Sequence, residues 1–189
     1  IDYVASARAC GALVEDGGAA EIAAEGLIEP VSRVFGLDRG MAIDRVYIEN
    51  FLCANRAYIR GKVLEIADNA YTLRFGTGVT QSDVLHAVPS EQATIVGNLE
   101  DAGLLPDDFF DCVILTQTLH VIYNAKTVLR NIAASLAPGG SLLLTVPCIS
   151  QISRYDMERW GDFWRFTDKG LGEMLKECMP GCTIVVKAV

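Results

Sequence analysis

Five short apolar runs, each closed by a turn or a helical stretch, restrict this chain more than any other feature. They read VLEIA (63–67), VTQSDV (79–84), ATIVG (93–97), FDCVILT (110–116) and SLLLTVP (141–147). Runs such as CVIL and LLLTV have no polar face, so they are expected as strands buried on both sides in a parallel sheet between helices. NAKTVLRNIAASLAPGG (124–140) supplies one such helix, with Val128, Leu129, Ile132 and Leu136 on one stripe. Its Pro138-Gly139-Gly140 ending is a turn signal leading into the next strand. The alternation predicts a doubly wound, mostly parallel α/β sheet over residues 61–189.

Residues 1–60 read differently, as an N-terminal helical cap. Residues 2–28 suit two helical pieces broken by EDGG, the second ending at Pro30. After FGLDRG (35–40), Ile43, Tyr47, Phe51, Ala54 and Tyr58 recur at three- and four-residue spacing, which predicts a helix near 42–59. At the other end, TDKGLGEMLKECM (167–179) is expected as a helix capped by Thr167, and TIVVKAV (183–189) as a last strand.

Composition narrows the partners. Among 189 residues, 24 acidic and 16 basic side chains leave a net charge of −8, which disfavours a nucleic-acid backbone, since phosphate binding needs a basic face. The six cysteines (Cys10, Cys53, Cys112, Cys148, Cys178, Cys182) form no CxxC pair, so neither a disulfide framework nor a zinc or other metal site is expected. No apolar run approaches the roughly 18 residues of a membrane span. The first residues hold no basic segment leading into an apolar one, so no secretory signal is expected and a cytoplasmic location is.

The candidate site lies in GKVLEIADNAYTLRFG (61–76) and VTQSDVL (79–85). One strand ends in Glu65, a loop turns over Asp68 and Asn69, and the next strand ends in Asp83. Carboxylates at the carboxyl ends of adjacent parallel strands face the crevice where nucleoside-bearing ligands sit, and the second can hold ribose hydroxyls. The glycines usual in such a loop are missing.

FFDCVILTQTLHVI, a helix and LAPGGSLLLTVP, in that order, resemble the class I S-adenosylmethionine-dependent methyltransferases over about residues 60–189. DFWRFT (162–167) and IDRVYIENFL (43–52) resemble a subgroup of that family, some members of which are attached to sugar-transfer modules. The resemblance implies S-adenosylmethionine as cofactor and S-adenosylhomocysteine as product. It places Glu65 near the methionine end, Asp83 on the ribose, the Asn98 amide oxygen on the adenine amino group, the Leu99 N–H on the adenine ring and Gln117 on the methionyl amino group. The family's Gly-x-Gly-x-Gly reads Ala67-Asp68-Asn69-Ala70-Tyr71 here. Ala67 adds a methyl at the closest approach, Asn69 tolerates the left-handed region, and Asp68 could pair with the methionyl ammonium. The family's sixth and seventh strands are represented only by 183–189, expected as the seventh.

His120, just past the fourth strand, is the candidate general base, the alternative being a side chain that fills the cleft wall. Arg154, Tyr155, Trp160 and Trp164 are candidate acceptor contacts, while Arg39, Arg45 and Tyr47 could close over the donor from the cap. His86 reads as an ordinary cleft-edge histidine. Two functions remain open. One is methyl transfer to a small hydroxylated acceptor, sugars included, beside a fused or associated sugar-transfer enzyme. The other is a non-catalytic accessory domain that has lost its cofactor. A nicotinamide-binding domain is disfavoured, because no GxGxxG follows the first strand.

Overall fold

The computed structural model describes residue 38 and residues 40–186. The chain divides into two compact units between Asn55 and Arg56. The helical pieces read over 2–28, and Arg39, lie outside the described residues.

Within the first unit the described residues form α1 (Ile43–Ala54), which buries Ile48 and Leu52. The expected stripe is one residue out of phase: Ile43 and Tyr47 are exposed, as is Tyr58 in the 3-10 turn Arg56–Tyr58 that follows. One residue is 100° around a helix, so choosing between neighbouring stripes depends on what each side chain must bury. Ile48 and Leu52 carry no polar atom, whereas the tyrosines keep a hydroxyl that favours water. Arg45 is exposed.

In the second unit β1 (Gly61–Ile66), β2 (Val79–His86), β3 (Ile95–Val96), β4 (Phe110–Thr116) and β5 (Leu136–Thr145) form one sheet in the order β3-β2-β1-β4-β5. Every pairing is parallel. The order reverses between β1 and β4, the switch point over whose carboxyl ends ligands bind in such sheets. Helix α2 (Ala70–Phe75) joins β1 to β2 and α3 (Ala125–Ser135) joins β4 to β5, while α4 (Arg154–Arg159) and α5 (Asp168–Cys178) follow β5. Gly61 opens β1 at φ 66°, and a Cβ there would lie 2.1 Å from the Asp111 carboxylate that accepts the Lys62 N–H. Only glycine admits that conformation and that approach.

The apolar runs bury on both faces, as expected: Val63, Leu64 and Cys112 through Leu115 are fully buried. Against one face α3 packs Ala125, Val128, Leu129 and Ile132, and α5 packs Leu171, Leu175 and Cys178. Thr167 caps α5, its hydroxyl accepting the Gly170 N–H at 3.1 Å.

Three boundaries differ from expectation. The third strand is only Ile95–Val96. Helix α3 stops at Ser135 and Leu136 already pairs with Phe110, so Pro138-Gly139-Gly140 is a loop inside β5, where pairing resumes at Cys112–Ser141. Pro138 has no N–H for the ladder and Gly139 sits at φ 81°, so the two loop out instead of turning the chain. Residues 183–186 form no strand: Ile184 and Val186 pack on the core, giving an extended segment without a ladder partner. Residues 187–189 lie outside the described part. Cys112, Cys148, Cys178 and Cys182 are free thiols, but Cys53 is disulfide-bonded, a cross-link the spacings did not suggest. No helix among the described residues is long and apolar enough to cross a membrane.

Candidate active site

At the tip of β1 the ladder runs one residue past the strand, the Ala67 N–H donating to Leu85 O at 2.9 Å. Ala67 then adopts φ 74°, the left-handed region that suits glycine. The carboxylate of Asp68 accepts the Ala70 N–H at 2.9 Å and so turns the loop into α2. Asn69 donates its side-chain amide to Ser82 Oγ at 3.3 Å and ties that turn to β2. Glu65 is 2% exposed and points at the start of α2 rather than out of the crevice. Its oxygens accept the Tyr71 N–H at 3.1 Å, the Thr72 N–H at 2.8 Å and the Thr72 hydroxyl at 2.7 Å. Burial raises its pKa, and the Thr72 and Tyr71 bonds work against that rise. Glu65 therefore holds the shape of the 67–71 turn from beneath.

Asp83 lies three residues before the end of β2, paired with Leu64 instead of at the strand tip. One carboxylate oxygen accepts the Thr94 hydroxyl at 2.9 Å and the other the Gln81 amide at 2.7 Å. The residue at the tip of β2 is His86, whose O accepts the Gly97 N–H at 3.1 Å. Beyond β3, Asn98 is exposed and its amide oxygen accepts the Glu100 N–H at 3.0 Å. Leu99 is buried and its O accepts the Asn131 amide at 2.8 Å.

On the other side of the switch Gln117 leaves β4 at φ 47°, its N–H donating to Thr145 O at 2.9 Å. Two non-glycine residues in the left-handed region thus flank the crevice, and backbone strain of this kind collects at ligand sites. His120 follows in the 3-10 turn Leu119–Val121, 8% exposed. Its Nδ1 has no hydrogen-bond partner, and the same holds for Thr145 Oγ1 at the tip of β5. Burial lowers the His120 pKa, while nearby Asp162 favours the charged form.

Residues 148–165 form a strap that leaves and rejoins the sheet at one neck, where the Phe166 N–H donates to Pro147 O at 3.0 Å. The N–H groups of Phe163 and Trp164 donate to His120 O at 2.9 and 3.2 Å, which anchors the strap beside the histidine. Within it, Arg165 makes a two-pronged pair with Asp162, at 2.5 and 2.8 Å, and reaches Gln151 O at 2.9 Å. The guanidinium holds the Asp162 carboxyl below the usual carboxylate range. Trp164 donates its Nε1–H to the O atoms of Ile122 and Tyr123 at 3.1 Å and stacks on the Tyr123 ring at 5.9 Å. Trp160 meets the His86 ring edge-on at 6.1 Å. Arg154 and Tyr155 are exposed on α4, with the Arg159 guanidinium 3.6 Å from the Tyr155 ring centre.

A methyltransferase domain family matches residues 17–174 of the chain. The chain belongs to that family. Its fold is that of a Haloferax volcanii putative methyltransferase solved with the Trm112 methyltransferase activator, at 19% identity and TM-score 0.56 over 77% of this chain and 73% of that one. A putative sarcosine dimethylglycine methyltransferase from Galdieria sulphuraria is similar at 18% identity and TM-score 0.53, over 75% and 63% of the two chains. The [4+2]-cyclase SpnF shares the fold at 18% identity and TM-score 0.53, over 72% and 56%. A probable polyketide synthase from Dictyostelium discoideum is 33% identical over 64 residues, 34% of this chain and 3% of that protein, so the chain spans only a small part of the curated relative it matches.

This methyltransferase domain uses S-adenosylmethionine, and two backbone features of the crevice fit it. Ala67 keeps a glycine-like conformation at the first glycine position of the family loop. Gln117 stands at the tip of β4 opposite it. Apart from these, two buried polar atoms, His120 Nδ1 and Thr145 Oγ1, have no hydrogen-bond partner among the described residues. Thr145 was not singled out in the sequence, although a hydroxyl closing the apolar run LLLTV was a visible signal.

Proposed function

We propose that this domain transfers a methyl group to a hydroxyl of a small, sugar-like acceptor, in the cytoplasm and beside a sugar-transfer enzyme. The observation that carries the reading is the buried Nδ1 of His120 with no partner in the protein. A buried polar atom left bare costs roughly 1–3 kcal/mol, a cost relieved when a ligand hydroxyl occupies the place.

Bound S-adenosylmethionine supplies the methyl as an electrophile. The protein's part is to orient the acceptor and receive its proton. His120 Nδ1 accepts the hydroxyl proton as the acceptor oxygen becomes an ether oxygen. Burial favours neutral His120, so the lone pair is available at neutral pH, and Asp162 stabilises the imidazolium formed. Thr145 Oγ1 binds the same acceptor oxygen. Tyr123, Phe163 and Trp164 form an aromatic rim suited to the C–H face of a sugar, Phe163 meeting Tyr123 at 5.5 Å. Ala67, Asp68, Asn69, Asn98, Leu99 and Gln117 surround the donor, with Glu65 fixing the loop. The accessory-domain reading lacks comparable support, because a lost site gives no reason to keep Ala67 in a strained conformation.

A radiolabelled-methyl assay over hydroxylated and amine acceptors tests this. His120→Gln should lower turnover about 10²- to 10⁴-fold while S-adenosylhomocysteine binding stays unchanged. Undiminished turnover in that variant, or transfer to amines alone, would defeat the reading.

A further inference from the structure

Resting on the cofactor assignment of the crevice, we propose that His86, not Asp83, is the β2 residue that binds the ribose of the adenosyl group, and that Trp160 closes over it. The β2 strand continues to His86, so its tip lies three residues beyond Asp83. The register fixes the level: Asp83 pairs with Leu64, inside the sheet, whereas Leu85 pairs with Ile66, the last residue of β1. His86 is the next residue, beside the strained turn at Ala67 and bonded through its O to Gly97. A ligand resting on the carboxyl ends of β1 and β2 meets His86 first.

Asp83 is also committed elsewhere. Its two oxygens hold Thr94 and Gln81, and Thr94 in turn accepts the Val84 N–H at 2.9 Å. The carboxylate thereby pins the approach to β3 against β2. His86 uses Nδ1 to accept the Val88 N–H at 3.1 Å, which leaves the proton on Nε2 as a donor. The same bond fixes the ring plane. An Nε2–H donates one hydrogen bond to a ribose oxygen, whereas a carboxylate at that place would accept from both hydroxyls. The ribose site is then of single-bond type.

Trp160 reaches His86 from the strap, although strap and histidine come from opposite sides of the switch, β5 and β2. The indole is 44% exposed and its plane stands at 80° to the imidazole, so ring surface remains free to cover a bound nucleoside. Strap position and cofactor occupancy are coupled through this pair.

Calorimetric titration with S-adenosylhomocysteine and with its 2′- and 3′-deoxy analogues tests the assignment. His86→Ala should weaken S-adenosylhomocysteine about tenfold and lose discrimination against one deoxy analogue, while Asp83→Asn stays within about twofold. In a Trp164→Phe protein Trp160 is the remaining tryptophan, and its fluorescence should shift on titration, with the shift abolished by His86→Ala. His86→Asn, which keeps a donor, should recover part of the affinity and guards against a folding defect. Weakened binding in Asp83→Asn with none in His86→Ala, silent fluorescence, or no uptake by the wild-type protein would each overturn the proposal. Failure of the hydroxyl-acceptor reading is separable, since it appears as altered turnover at His120 with these titrations intact.

Discussion

Ala67 shows how a single residue carries a family's backbone without the family's side chain. A non-glycine residue in the left-handed region costs roughly 1–2 kcal/mol, against about 0.5–1 kcal/mol of extra chain entropy that glycine loses on folding. Ala67→Gly should therefore raise stability by about 0.5–1 kcal/mol in urea denaturation and tighten S-adenosylhomocysteine binding, since it also removes the methyl nearest the ligand. His120 yields a pH prediction. Its folded pKa is lowered from 6.5 by burial, so below 6.5 the unfolded chain takes up a proton that the folded one resists. Stability should fall as pH drops through 6.5 towards the folded pKa, and thermal melts of His120→Gln should lack that component. Turnover should fall in the same acidic direction, as the base becomes protonated. Sequence reading singled out His120 and the substituted glycine positions, because each is tied to a strand end. It assigned Glu65 and Asp83 to the ligand because strand-end acids commonly face a crevice. Three donors beneath Glu65 and two beside Asp83 satisfy those carboxylates within the protein.

At the scale of elements, one ion pair braces the strap from within, beside its anchors to His120, Ile122 and Tyr123. Asp162 has a side chain with 0% exposure, and Arg165, 26% exposed, meets it with two bonds while tying down the O atoms of Ser150 and Gln151. Removing the guanidinium leaves a buried carboxylate with the Ser153 N–H as its other donor. Arg165→Ala should destabilise the protein by about 2 kcal/mol, below the roughly 3–5 kcal/mol of a fully buried pair because the arginine is partly solvated, as read from urea midpoints. The sequence presented these residues as alternating aromatics and charges. Which charges pair and which aromatics stack was set by the chain doubling back from Pro147 to Phe166. Helix α3 followed its stripe closely, since an apolar repeat fits one face of one helix. Helix α1 did not, because two neighbouring stripes competed and burial selected the purely aliphatic one.

For the whole molecule, binding and folding are linked. Saturating S-adenosylhomocysteine at 100 times its Kd should stabilise the domain by about 2.7 kcal/mol, seen as a concentration-dependent rise in Tm. A melt indifferent to the ligand would contradict the cofactor assignment. The resemblance of SpnF, a [4+2]-cyclase, shows that this sheet order does not by itself dictate chemistry. The chemistry is therefore sought in the side chains at the strand tips, those of β2 included, and not in the fold.

The succession of β1 to β5, the buried stripe of α3 and the family were legible in the sequence, because apolar periodicity and turn residues act locally and leave local traces. Which polar groups the protein satisfies internally, and which it leaves bare, was decided by the tertiary structure alone. A carboxylate's partners come from whatever segment folds against it, as Thr94 does against Asp83 and Thr72 against Glu65. The bare Nδ1 of His120 is likewise the product of several chain segments meeting around one ring.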